Sequence, residues 1–346
     1  MRKSKLSSPF HPIGTLFIGL LIAQAIATIQ VYLSNLKLFA TVSAVIAAGY
    51  LAIPNQQVMG SLQTFASAFY GGFFFSFTIG AGITLGTMAA TWVWDRAFRR
   101  HRYILFFFLS VWGGSLLFVN IRGYSLIPTL YFLIIPPVIF KLTAKRQSKT
   151  EIRWRLRQQI VHVIPIPLLA LLWFTQFNEA MFLDFRDNLL LSNHWGRKFS
   201  DFYYSYTLYP AEAFKSLDQK NIKTCALENI QTRSSHENLK SRLMARGYLL
   251  LPNTATIDLK IVQKKNNLDF RSRQRLIFQI PLNQFLSDSQ NILQRFSQQL
   301  DSHALFRQIT FLSLLLGFPV LIYMVLHAVL YYLLLLFLGR KTAGLT

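Results

Sequence analysis

Runs of apolar residues long enough to cross a bilayer constrain this chain more than any other feature. A membrane helix needs about 20 mostly apolar residues to span roughly 30 Å of hydrocarbon. Such runs occur at Pro12–Leu33, Leu38–Ile53, Phe69–Trp94, Tyr103–Asn120, Leu126–Leu142, Ile160–Phe177 and Ile309–Leu338. The second is short, and the fifth contains Pro136 and Pro137, which remove helical donors and are expected to kink or break it. The expected number of spans is therefore six or seven. A chain with 52% hydrophobic and only 14% charged residues is not an ordinary soluble protein. The expected fold is a polytopic α-helical membrane protein with a small α+β extracytoplasmic domain inserted before the last helix. Residues 1–177 form the bundle, 178–306 the domain, and 307–346 the final helix and a cytoplasmic tail.

Charge distribution sets the expected orientation. The net charge is +22, yet 17 of the 36 Lys and Arg residues lie between Asn178 and Phe306 beside 12 of the 14 acids, a local net of +5. The other basic residues sit at the ends of apolar runs with almost no acids near them. That is the positive-inside pattern of a membrane protein, not a groove that tracks phosphates, so nucleic acid is not an expected partner. Asp95–Arg102 and Lys141–Arg157 are short, basic and two spans apart, which puts both in the cytoplasm of a bacterial inner-membrane protein. Two further spans bring Arg340 and Lys341 to the same side and leave 178–306 outside. The basic start, Arg2, Lys3 and Lys5, conflicts with three full spans before Asp95. Either the N-terminus breaks the rule or Leu38–Ile53 does not cross.

The N-terminus has the basic and apolar regions of a signal peptide, but no convincing cleavage site follows, so a retained first span is expected. Within Phe69–Trp94, Gly72, Ser76, Gly80 and Thr84 form one stripe of small residues, and Gly82, Gly86 and Ala90 a second. Small residues at this spacing let helix backbones approach closely in lipid. A dinucleotide loop at Gly80 and Gly82 is excluded because the third glycine is misplaced and no strand precedes. His162 lies within a turn of a basic loop, His327 lacks a relay partner, and Asn120 and Arg122 lie at an outer boundary where snorkelling accounts for them.

The stretch Phe182–Leu217 is where the chain leaves the bilayer. Asp184, Arg186 and Asp187 follow the sixth span, and His194 and Glu212 lie further along. Between Lys198 and Leu217, aromatic residues including Tyr203 and Tyr206 recur at helical spacing, which predicts an amphipathic helix on the outer leaflet or over the bundle outlet. Asn221–Ser235 reads as a polar connector and His236–Arg246 as a short helix. Strands are expected at Tyr248–Leu251 and Thr256–Val262, with a hairpin near Asn266 and Asn267 leading into a strand over Leu268–Ile280. On that strand Arg271, Arg273 and Arg275 would share one face, suited to an anionic headgroup or an acidic partner. Leu282–Leu300 is expected to be an amphipathic helix closing over the sheet, and Pro319 to kink the last run.

No Walker loop, zinc-peptidase motif, nucleophile elbow or metal cluster is present, so no cofactor or metal is expected. Cys225 is the only cysteine, which excludes an intrachain disulfide. The favoured expectation is a non-catalytic scaffold or accessory subunit, whose domain docks a protein partner or anionic lipid of the bilayer. The second is an enzyme on lipid or lipid-linked substrate at the outer leaflet, with Asp184, Asp187, His194 or Glu212 as acid or base and Arg186 on a phosphate. The third is a transporter, with Pro136, Pro137, Pro165 and Pro167 marking helix breaks.

Overall fold

A computed structural model describes residues 11–50, 62–96, 100–121, 123–147, 191–198, 215–252, 257–272 and 274–338, with isolated positions between them. The chain is mostly helical with a small mixed sheet, and five helices among the described residues are long and apolar enough to cross a membrane. The expected span Ile160–Phe177, Asp184, Arg186, Asp187, Glu212, Arg273, and Tyr203 and Tyr206 of the expected aromatic helix lie outside the described residues.

The first helix corrects the span count. α1 runs without a break from His11 to Ala47, 37 residues, and absorbs both Pro12–Leu33 and most of Leu38–Ile53. The polar step that suggested two spans, Ser34 to Lys37, contains neither Pro nor Gly, so nothing interrupts the hydrogen-bond ladder. At 1.5 Å per residue α1 is about 55 Å long, far more than a bilayer needs. It stops where Gly49 takes φ +87°, a left-handed conformation that suits glycine after a helix end.

The next helix starts at Thr64, whose hydroxyl accepts the Ser67 N–H at 3.2 Å. α2 (Phe65–Phe75) passes through a π-helical turn at Ser76–Gly80 into α3 (Ala81–Arg96). This helix packs antiparallel to α1 along the first small-residue stripe. A Cβ on Gly80 would lie 2.3 Å from the Ala23 Cβ, and one on Gly72 would lie 2.9 Å from Gln24 Nε2. Further along, Thr84 presses on Gly19, where a Cβ would stand 2.3 Å from its hydroxyl oxygen. The second stripe is shorter than its spacing suggests. Gly82 meets Ser313 and Gly317, but a Cβ on Gly86 would meet nothing within 4 Å.

α4 (Arg102–Asn120) lies at the edge of the bundle, with Phe106, Phe107 and Leu117 exposed. α5 (Leu126–Gln147) stays helical through Pro136 and Pro137. Pro136 leaves the Phe132 carbonyl without its helical donor, and the Trp112 indole on α4 supplies one at 2.6 Å. The expected break is thereby avoided. Asn120 closes the turn between these helices by accepting the Ser125 N–H at 2.9 Å and donating to Thr129 Oγ1 at 2.8 Å.

Among the described residues of the domain, a short 3₁₀ turn, Leu217–Gln219, leads into β1 (Lys223–Glu228). α6 (Arg233–Met244), β2 (Tyr248–Leu250), β3 (Leu259–Lys264), β4 (Asn267–Ser272) and β5 (Arg275–Pro281) follow. Strand order is β2-β1-β3-β4-β5; β1 is parallel to both its neighbours, and the β3–β4 and β4–β5 pairs are antiparallel. α7 (Leu282–Ser287) and α8 (Ser289–Leu300) pack with α6 on one face over Cys225, Leu259, Ile261, Leu268 and Phe270.

Three expectations change here. β1, read as part of a connector, is a sheet-interior strand; its apolar run Cys225–Leu227 is too short to announce a buried parallel strand. Leu268–Ile280 is two antiparallel strands, with Ser272 opposite Arg275 and Gln274 at φ +69° just before the second. A bulge at Ile277 then shifts the register, so that Leu276 faces Arg271 and is 49% exposed. Leu282–Leu300 is likewise two helices, broken at Asp288, whose backbone leaves the helical region.

The chain returns through α9 (Ala304–Leu312), a second π-helical turn at Ser313–Gly317, and α10 (Phe318–Leu338). The disturbance expected at Pro319 thus appears one turn earlier as a widened helix. The two π turns lie side by side, with the Gly82 Cα 3.3 Å from where a Gly317 Cβ would stand.

Candidate functional site

The described residues bring few of the sequence-derived candidates together. His194 is exposed in a short helical turn beside Trp195, whose ring carries the Lys198 ammonium at 5.1 Å. Arg271 and Arg275 lie on different strands. Arg271 pairs across the sheet with Leu276 and Arg275 with Ser272, so the two arginines point to opposite faces. The expected arginine face is therefore not formed by these two residues.

Arg271 has another role. Its Nη2 donates to Asp269 Oδ2 at 2.8 Å, and Lys264 Nζ reaches the same oxygen at 3.1 Å. Asp269 is buried on the sheet face opposite the helices. Burial alone would raise its carboxyl pKa, but the hydrogen bonds from Arg271 and Lys264 outweigh this and hold it below the usual carboxylate range. On the same face Lys260 pairs with Glu228 at 2.6 Å. These cations mainly neutralise neighbouring acids of the sheet.

The sheet interior is chemically quiet. Cys225 is fully buried and its thiol is pushed up to about 12, by burial first and then by Asp258. Asp258 is itself engaged, accepting from Lys220 Nζ at 2.7 Å and from the Thr224 hydroxyl at 3.2 Å, which ties the start of β3 to that of β1. No group of three His, Cys, Asp or Glu residues among the described residues is placed to hold a metal ion.

At the heads of β1 and β2 lies an open basin of about 460 Å³ lined by Asp218, Lys223, Arg246, Tyr248, Gln290 and Gln294, among others. The Lys223 ammonium stands 5.7 Å over the Tyr248 ring, and neither cation is ion-paired among the described residues. Burial, and then the nearby charges of Asp258, Cys225 and Asp218, raises the Tyr248 phenol well above its ordinary value. The basin presents two cations, one carboxylate and two amides, a set able to dock a polar, acidic segment.

Two contacts seat this domain on the bundle. Ile222, next to Lys223, packs against the cluster of Val42 and Leu62, which Leu38 and Phe39 also cover, so the far end of α1 and the base of the sheet share one apolar cluster. At the other exit Arg307 grips both carboxylate oxygens of Asp301, Nη1 at 2.9 Å from Oδ1. His303 Nδ1 lies 3.3 Å from Ser125 Oγ, and the Phe306 ring lies 5.7 Å from that of Tyr131. Burial lowers the His303 pKa, with Arg307 and Lys37 acting the same way against Asp301.

Comparison with known protein families, with curated proteins and with solved structures finds no match to this chain. The residues that sequence reasoning missed are the seating contacts. Ile222 and Ser125 carry no motif, and Asp301 and Arg307 are six apart, beyond the three- or four-residue spacing of a helical ion pair.

Proposed function

We propose that this chain is a multi-pass scaffold or accessory subunit of a bacterial cytoplasmic membrane that presents its α/β domain outside the cell's inner compartment for docking to a partner protein. The observation that carries the reading is the double seat of the domain. The far end of α1 shares an apolar cluster with Ile222, and the Asp301–Arg307 and His303–Ser125 contacts hold the other exit. A surface held at two separate points has a fixed pose relative to the bundle, which is what a presenting element needs.

The continuity of α1 supports the orientation. One crossing by α1 puts its N-terminal end, which the basic start precedes in sequence, at the same end of the bundle as Asp95 and Arg100, since α1 runs antiparallel to the following helix. The conflict between the N-terminal charges and the later loops then disappears. The basin at Lys223 and Arg246 is the docking point, and its partner carries an acidic segment.

Purification of the full chain in mild detergent tests this. A stoichiometric partner is expected, lost from Lys223→Glu, Arg246→Glu double variants that retain the parent elution volume. A lone monomer, or a partner retained unchanged by the double variant, contradicts it. Transport is the second reading, and the buried polar side chains along α1 favour it.

A further inference from the structure

Polar atoms in a bilayer-embedded bundle need partners, because no bulk water is there to satisfy them. One group of such atoms here has none. Both amide atoms of Gln30 and of Asn35, the Thr84 hydroxyl and the Tyr131 phenol are buried and without a hydrogen-bond partner. Each of these residues is at most 8% exposed.

They share the inner side of one helix. Gln30 and Asn35 belong to α1, and Thr84 presses on α1 at Gly19. Tyr131 belongs to the core cluster that contains Ala27 and Val31. Between the levels of Thr84 and Gln30 lies a hub that is satisfied. There Gln24 Oε1 accepts from Ser76 at 2.6 Å, its Nε2 donates to the Phe69 carbonyl at 2.7 Å, and Thr28 bonds back to the Gln24 carbonyl at 2.7 Å. Polar groups therefore follow α1 from the level of Gly19 to that of Asn35, about 24 Å along its axis. Paired groups sit in the middle, and unpaired ones lie on both sides.

We infer that this seam between α1, α3 and α5 is hydrated and accepts small, uncharged hydrogen-bonding molecules the size of water. The chemical class follows from the lining. Amides and hydroxyls offer both donors and acceptors, and no Lys, Arg, Asp or Glu occurs in 12–36, 65–94 or 126–140 to balance an ion. The inference rests on the membrane placement proposed above but not on the docking role.

Cysteine accessibility tests it in vesicles holding the full chain. The cysteine thiolate attacks a methanethiosulfonate, forming a mixed disulfide and releasing methanesulfinate, and the thiolate forms where water reaches the sulfur and not in lipid or dry protein. The parent is the blank, because its one cysteine, Cys225, is fully buried. Asn35→Cys and Thr84→Cys are compared with Leu117→Cys on the outer side of α4, which is 77% exposed and would face lipid. The Thr84 replacement is nearly isosteric, so a fold lost in Asn35→Cys leaves the test intact. Hydroxyethyl methanethiosulfonate is expected to modify the seam cysteines at least about tenfold faster than Leu117→Cys. Equal, slow modification at all three positions overturns the hydrated seam while leaving the membrane placement standing. Fast modification at Leu117→Cys overturns the membrane placement itself, and the seam with it.

Discussion

The Trp112 indole donates a 2.6 Å hydrogen bond to the Phe132 carbonyl, the acceptor that Pro136 deprives of its helical partner. A proline that would break an isolated helix is thus accommodated by a neighbour. Trp112→Phe keeps most of the packing but orphans the carbonyl, and should destabilise the bundle by about 0.5–1.5 kcal/mol. In a Pro136→Ala background, where the introduced alanine supplies the missing N–H, the same change should cost much less. A double-mutant cycle by denaturant titration in detergent checks this; additive costs would rule out the coupling.

Close packing of α1 on α2 and α3 depends on Gly80 far more than on Gly86. A Cβ at Gly80 would stand 2.3 Å from the Ala23 Cβ, whereas one at Gly86 meets nothing within 4 Å. Gly80→Ala is expected to cost about 1–3 kcal/mol, with part recovered by Ala23→Gly. Gly86→Ala is expected to be neutral or slightly stabilising, since Gly is a poorer helix former than Ala. Unfolding midpoints of the three variants decide the matter.

Asp269 gives the domain an acid limit. Its folded pKa lies below its unfolded value, so the protonated fraction is larger in the unfolded chain over that window. The stabilisation is complete above the unfolded pKa, near 4 for a carboxylate, and is lost as pH falls through the folded value. Asp269→Asn should flatten this part of the stability–pH profile and cost about 2–3 kcal/mol at neutral pH, because Arg271 and Lys264 lose a charged acceptor. A profile measured by fluorescence from pH 3 to 7 that keeps its slope in the variant would contradict this assignment.

Cys225 should resist alkylation in the folded protein. The thiol is fully buried and pushed up to about 12, so almost no thiolate exists at pH 8. Maleimide incorporation is expected only after denaturation, and rapid reaction of the native chain would mean that β1 is not interior. For the same reason the native cysteine does not report sidedness.

The helices were legible where apolar length spoke for itself, and the sheet where alternation did. Tyr248–Leu250 and the turn after Lys264 fall within two residues of their expected places. The two spans assigned to α1 failed because hydropathy registers Ser34–Lys37 as a gap while backbone hydrogen bonding does not. The strand over Leu268–Ile280 failed for a related reason. A two-residue turn moves the core face from even to odd positions, but the bulge at Ile277 moves it back, so Phe278 and Ile280 join Leu268 and Phe270 and the segment reads as one strand across a hairpin. Arg271 and Arg275, expected on one face, fall on opposite faces for the same reason. Gln24, Gln30 and Asn35 drew no notice because isolated amides barely lower mean hydropathy, yet all three are buried.

Sidedness is the claim on which the rest stands. Arg242 is exposed on α6, so an Arg242→Cys variant in intact spheroplasts can be treated with a membrane-impermeant maleimide, with the buried Cys225 of the parent as blank. The account predicts full labelling before lysis. Labelling that appears only after lysis would place the domain in the cytoplasm and contradict it.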